Sequence, residues 1–229
     1  SHGGLGRKAW LVVDLGMIVV VLGVALIWIT GGTPSTDGPP EIDTDGAAAV
    51  REFFDLTRGG QWIGPRDAPA VFLVYNSYGC SFCRSLAESI ETLRARYPQH
   101  VAFVIKSMVV GPQDQLAPVT AAAECAADSN RFEQYYSAAM ALTEPSFSNS
   151  WLTAAEQAGL EADPEFLECA GERRYLEAVV RNMDEAVARG VDGTPVIVSP
   201  GRSHTGELAL AQLEEWMASQ FAVQFGSER

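Results

Sequence analysis

The chain has 229 residues, of which 47% are hydrophobic and 20% charged, and its formal net charge is -13. That length can build one core of ordinary size plus an appendage. The acidic balance excludes a nucleic-acid-binding surface, because phosphate contacts need Lys and Arg to release counterions.

The first feature in chain order is the run Ala9 to Ile29, AWLVVDLGMIVVVLGVALIWI, which carries a single charge, Asp14. About twenty apolar residues are long enough to cross the hydrocarbon of a bilayer as a helix, and Trp10 and Trp28 stand where interfacial aromatics belong. Arg7 and Lys8 precede the run and the next basic residue is Arg51, so the N-terminus is expected in the cytoplasm and everything after Gly31 outside it. A secretory signal peptide is the competing reading, but the run is long and no clear small-x-small cleavage site follows. Ala9, Gly16, Gly23 and Thr30 recur every seven residues, a stripe along which a second transmembrane helix can approach; the alternative is that Gly is simply common in such helices. Asp14, a costly carboxylate near one end, also points to a membrane neighbour, either a redox partner or a larger complex.

Gly31 to Gly46, GGTPSTDGPPEIDTDG, lacks the large apolar residues needed for a core and is expected to be a flexible tether. The organisation is therefore a cytoplasmic tip and single span over 1–30, a linker over 31–46 and a folded domain over 47–229. Ala47 to Thr57 has helical spacing, with Val50, Phe53 and Phe54 on one face, and Gly59-Gly60 stops it. Ala70 to Asn76 is a nearly continuous apolar run that reads as a central strand. Ser81 to Tyr97 is a helix with Leu86, Ile90 and Leu93 inward, and Val101 to Val110 is a second buried strand, so the three make a parallel crossover unit. About Gln115 to Arg189 reads as successive helices. One, starting near Asn130, carries Phe132, Tyr135, Tyr136, Ala139 and Met140; another starts at Asp163-Pro164, and Gly171 is a candidate break. Val196 to Val198, a turn at Pro200-Gly201, a short strand at Ser203 to Thr205 and a helix from Glu207 to about Phe221 complete the chain.

The chemistry lies in Tyr78-Gly79-Cys80-Ser81-Phe82-Cys83-Arg84. A Cys-x-x-Cys that opens a helix after a central strand puts its first sulfur beside unpaired backbone N–H groups and the positive end of the helix dipole, which favour a thiolate. Cys80 is thus the expected nucleophile. Cys83, one turn further in, can attack a mixed disulfide at Cys80 and release the partner. A zinc site would need two further ligands, but Cys125 and Cys169 are far apart in sequence and the only histidines are His2, His100 and His204. No metal and no cofactor are expected. A purely structural Cys80–Cys83 bridge closes too short a loop to add much stability.

Four separated stretches give the chain a resemblance to the DsbA-like family of extracytoplasmic thiol-disulfide oxidoreductases within the thioredoxin fold. They are Gly64-Pro65-Arg66-Asp67-Ala68-Pro69, Cys80-Ser81-Phe82-Cys83, Ala122-Ala123-Glu124-Cys125-Ala126 with Phe132 and Tyr136, and Gly190-Val191-Asp192-Gly193-Thr194-Pro195-Val196. The resemblance implies an α/β thioredoxin-like fold with a helical insertion over about 115–189, preceded here by the transmembrane helix. It implies Cys80 and Cys83 as catalytic residues, and a cis peptide before Pro195 that turns the Thr194 backbone toward Cys80 for an extended substrate segment. It also implies a bacterial inner-membrane protein with its folded domain in the periplasm and extracytoplasmic protein thiols as partners. The chain departs from the family in the motif itself. Proline is common after the first cysteine and histidine often precedes the second, whereas Ser81 and Phe82 stand here and Phe82 adds no positive charge. Asn76 and Ser77 stand where an acidic residue is expected.

In an oxidising compartment Cys125 and Cys169 are expected to form a structural disulfide, the alternative being a relay that passes electrons to Cys80. Lys106 is a candidate electrostatic or proton-handling partner of the buried cysteine, and a solvated strand-end lysine is its plainer reading. His100 and His204 read as surface residues. Trp62, Phe72, Phe132, Tyr135 and Trp216 read as core, and Trp151 as core or substrate platform. Two functions follow: a membrane-anchored thiol-disulfide oxidoreductase, or a thioredoxin-like accessory subunit held against a larger membrane complex.

Overall fold

The computed structural model describes residues 44–111, 113–142 and 149–225. The span over Ala9 to Ile29 and the tether up to Asp43 lie outside the described residues. Among the described residues no helix is long and apolar enough to cross a membrane.

The strands are β1 (Gln61–Ile63), β2 (Ala70–Asn76), β3 (Val101–Ser107), β4 (Val196–Ser199) and β5 (Arg202–Thr205). The helices are α1 (Thr44–Leu56), α2 (Ser81–Arg96), α3 (Gln113–Asp128), α4 (Phe132–Ala141), α5 (Ser150–Gln157), α6 (Pro164–Glu172), α7 (Leu176–Ala188) and α8 (Leu210–Phe225). The strands form a sheet in the order β1-β3-β2-β4-β5, in which β2 and β3 run parallel and the other pairs antiparallel. All residues of β2 and β3 are buried, which is what two continuous apolar runs require of the centre of a sheet covered on both faces.

Strand alternation sorts the core into two layers. Phe72, Val74, Phe103 and Ile105 face α2, α4 and α8, where Leu86, Ile90, Tyr136 and Trp216 meet them; Phe72 stacks between Phe103 and Trp216, at 5.3 and 6.0 Å between ring centroids. Val71, Leu73, Tyr75 and Val104 face Phe53 and Leu56 of α1 and Ala186 of α7. The insertion α3 to α7 is tied together by a disulfide between Cys125 and Cys169, with Cα atoms 5.9 Å apart.

Several local readings change in three dimensions. Helix α1 begins at Thr44, so Thr44-Asp45-Gly46 belong to the helix and not to the tether. Its inward residues are Phe53 and Leu56, while Val50 and Phe54 are 40% and 47% exposed: the helix lies on the sheet along a narrower stripe than its composition suggests. The short edge strand β1 has no sequence signal beyond Trp62 and Ile63 and exists because β3 offers it a free edge. The break between α6 and α7 falls at Arg173, whose φ of +53° ends the helix, two residues past Gly171. Asp163 does cap α6, accepting the N–H groups of Glu165 and Phe166 with Pro164 in the first turn.

Candidate active site

Cys80 is the N-cap of α2. Its backbone is extended, at φ −94° and ψ 121°, and its sulfur accepts the N–H of Cys83 at 3.3 Å, taking up one of the N–H groups that a helix start leaves unpaired. The side chain is half-buried, so the sulfur can be reached. Three residues on, Cys83 is 1% exposed and packed among the residues that cover the α2 face of the sheet. Burial pushes the Cys83 thiol up to about 12, helped by the sulfur of Cys80 beside it, while the backbone of Ser77 and the hydroxyl of Thr194 act the other way by favouring the thiolate.

The loop before β4 faces this helix end. The Thr194–Pro195 peptide is cis, and the Thr194 carbonyl oxygen lies 3.2 Å from the Cys80 sulfur, which donates to it as a thiol. Phe82, between the two cysteines, is 59% exposed and leaves the motif with an apolar knob at its rim. Arg84 donates Nε and Nη2 to the carbonyls of Met140 and Leu142 at 3.1 and 2.9 Å, so the motif helix is fastened to the end of α4 in the insertion.

The structure corrects the reading of Lys106. It is buried, at 1% exposed, but its register partner is Tyr75 and both belong to the sheet face that carries α1 and α7, opposite Cys83. Its Nζ donates to both oxygens of Glu185 on α7, at 2.8 and 2.7 Å, and Glu185 also accepts the Tyr75 hydroxyl at 2.7 Å. His204 is half-buried, edge-on to Trp216, not simply a surface residue. Trp151 packs beside the core, tilted against Phe166.

Sequence reasoning missed a buried acid in the insertion. Glu124 of α3 is 3% exposed and is held by the Nε2 of Gln61 on β1 at 2.7 Å. Burial raises its carboxyl to about 7, Gln61 lowers it and Asp128 raises it further. Its signal was there to be read: a single charge inside the small apolar run Ala121 to Ala126, where a solvated glutamate has no reason to sit.

A central sheet, a Cys-x-x-Cys opening a helix and a proline loop facing the first sulfur define a protein of the thioredoxin class. The chain belongs to the thioredoxin family, whose profile matches residues 56–218. It is similar to the catalytic domain of Proteus mirabilis ScsC, with a TM-score of 0.63 and 21% identity over 76% of this chain and 98% of that one. It is also similar to the thiol-disulfide exchange protein alpha-DsbA2 from Wolbachia pipientis, with a TM-score of 0.64 and 16% identity over 78% and 98% of the two chains. Among curated proteins it is 28% identical over 160 residues to Na(+)/H(+) antiporter NhaA 3 of Salinispora tropica, and 25% identical over 144 residues to the NhaA antiporter of Herminiimonas arsenicoxydans. Those stretches are 69% and 62% of this chain but only 24% and 22% of the antiporters, so the chain spans about a quarter of the length of the curated relatives it matches.

Proposed function

We propose that the protein is a membrane-anchored thiol-disulfide oxidoreductase that acts on protein cysteines outside the cytoplasm, with Cys80 as nucleophile, Cys83 as resolving thiol, Thr194 and Pro195 as the substrate-facing loop and Cys125–Cys169 as a structural bridge. The observation that carries this reading is the pairing of a reachable sulfur at the α2 N-cap with a buried sulfur one turn away, under the Thr194 carbonyl. A substrate disulfide is attacked by Cys80, giving a mixed disulfide and a released substrate thiol. Cys83 then attacks the Cys80 sulfur and frees the second substrate thiol, and the reverse sequence oxidises a dithiol. The reading is tested by equilibrating the full chain with glutathione and a dithiol peptide. Cys80→Ser should abolish exchange and Cys83→Ser should accumulate the mixed disulfide; no exchange by the unaltered chain overturns the assignment, and the measured potential tells oxidant from reductant.

A second reading is favoured by the curated relatives, in which the matching stretch is part of a much longer Na(+)/H(+) antiporter. On this reading the thioredoxin-like domain is an accessory part of a membrane complex, reached through the Ala9 to Ile29 helix and its small-residue stripe. Purification of the full chain from membranes in fixed stoichiometry with a partner, together with an inert Cys80–Cys83 pair, would favour it over catalysis.

A further inference from the structure

The residue before the nucleophile is Gly79, and space, not backbone conformation, demands a glycine there. Gly79 is not among the glycines with positive φ, so its φ is one that other residues adopt. A Cβ on it, however, would stand 2.9 and 3.0 Å from the two δ-carbons of Leu116 and 3.6 Å from its γ-carbon. The tip of Leu116 therefore lies directly over the backbone that leads into Cys80. The same side chain reaches the loop after β3, since a Cβ on Gly111 would stand 3.3 Å from its Cδ1.

Leu116 belongs to the first turns of α3, the helix that opens the insertion. It is 1% exposed and packs with Val109, which follows β3, and with Val179 of α7, while Met183 lies against the same group. A side chain gripped by three segments of a close-packed interior has little room to move. The loop it covers is fixed on either side of Gly79 by other means. The Met108 N–H donates to the Asn76 carbonyl at 2.7 Å, the Val110 N–H to the Ser77 hydroxyl at 3.4 Å and the Cys80 N–H to the Ser77 carbonyl at 3.2 Å. Tyr78 is buried, its ring edge-on to Tyr136 at 6.1 Å. Gly79 has no side chain with which to hold its own place, and Leu116 supplies that contact from the insertion.

We propose that Leu116 is a positioning residue of the exchange site: by filling the space over Gly79 it holds the backbone that carries Cys80, so that the helical insertion sets where the attacking sulfur stands. The proposal rests on the thiol-exchange reading above. The Cys80 sulfur lies 3.2 Å from the Thr194 carbonyl oxygen and 3.3 Å from the Cys83 backbone nitrogen. Those two partners come from the loop before β4 and from α2, neither of which carries Leu116. The sulfur meets both only while the Gly79–Cys80 backbone stays where Leu116 puts it, and a displacement on the order of 1 Å at a reacting atom is enough to cost about a hundredfold in rate. The insertion thus acts on the nucleophile through one apolar side chain that need not touch the sulfur.

The test measures attack by Cys80 on oxidised glutathione in the full chain carrying Cys83→Ser, where the reaction stops at the mixed disulfide. The glutathione S–S bond breaks, the Cys80 sulfur bonds to one half, and the other half leaves as a thiolate with the electron pair. Leu116→Ala should slow this attack about tenfold or more, whereas Leu116→Met, close to leucine in volume, should retain most of the rate. Gly79→Ala should slow it as well, because the new methyl group and Leu116 cannot both keep their places. Gly79→Ala joined to Leu116→Ala should be faster than Gly79→Ala alone, since the methyl group then takes up space that the leucine has left. Each rate is measured where near-UV circular dichroism shows the variant folded, so that lost stability does not enter it. Where Leu116→Ala does not fold, Leu116→Val takes its place and the same order of rates is expected. Undiminished attack in the folded Leu116 variant or in Gly79→Ala, or a double variant slowed by the product of the single effects, overturns the proposal while leaving thiol exchange standing. Failure of Cys80 to attack glutathione in the protein with Gly79 and Leu116 intact overturns both.

Discussion

Thr194 serves both cysteines: its carbonyl oxygen is 3.2 Å from the Cys80 sulfur, and its hydroxyl stands near enough to the Cys83 sulfur to favour the thiolate. The residue lies 114 positions after Cys80 in the chain, so the contact exists only because β4 returns beside β2. One residue, through its backbone and its side chain, thus stands at the point where the mixed disulfide would form and where it would be resolved.

Thr194→Val keeps the shape of the side chain and removes the hydroxyl. A hydrogen bond to an ionised group contributes roughly 1.5–3 kcal/mol, so a hydroxyl that favours the Cys83 thiolate in this way should, when removed, slow the Cys83 step by about tenfold or more. Attack by Cys80, measured as mixed-disulfide formation in a Cys83→Ser background, should change little. The comparison of those two rates is the check, and equal slowing of both would place the hydroxyl's effect on Cys80.

The Cys125–Cys169 bridge spans 44 positions, and the loop-closure entropy it removes from the unfolded chain corresponds to about 4 kcal/mol. Cys125→Ala with Cys169→Ala should lower the urea-unfolding free energy by that order. Thiol exchange at a temperature where the variant is folded should persist. Loss of exchange from a folded variant would restore the relay reading of these cysteines.

Lys106 is buried with its charge answered by Glu185, which keeps about a third of its side chain in solvent. Glu185→Gln leaves the ammonium underpaired and should destabilise the domain by roughly 3 kcal/mol, the lower end for a broken buried pair because Glu185 is partly hydrated. Replacing both, as Lys106→Met with Glu185→Gln, should recover part of that loss in unfolding experiments. Neither change should alter exchange in the folded protein, since the pair lies on the sheet face opposite Cys83.

Glu124 makes the stability of the domain depend on pH. Its carboxyl is raised from 4.5 to about 7 in the folded protein, so below about 4.5 both folded and unfolded chains hold the proton. Between those values only the unfolded chain releases it, and stability falls as pH rises through about 7, by roughly 3 kcal/mol in all. Unfolding free energies at pH 5 and pH 8 should differ by less in Glu124→Gln than in the unaltered chain. An equal difference would mean that the carboxyl ionises alike in both states.

Much of the fold was legible because it is written in local patterns. The apolar runs of β2 and β3, the helical spacing of Leu86, Ile90 and Leu93, and the Asp163-Pro164 start of α6 depend on neighbours in sequence, and the structure agrees with them to within a residue or a few. The cysteine motif was legible for the same reason: Cys80 caps its helix through a contact only three residues long. Lys106 was not, since a charge in a strand reads as solvated until something covers it, and the lone charge of Glu124 in a small apolar run signals burial without saying what meets it. Which face Lys106 takes follows from strand alternation, but what waits there, Glu185 on a helix 79 positions away, does not.

By itself, then, the order of residues determined most of the elements, the apolar runs of the central strands and the sulfur pair at a helix start, because those follow from periodicity and from backbone groups within one turn. Only the tertiary structure decided that Thr194 meets both sulfurs, that Cys125 meets Cys169 and that Glu124 is buried with an oxygen unpaired. Each of these joins segments distant in the chain, and no local preference encodes which distant group will arrive once the sheet and the insertion close around it.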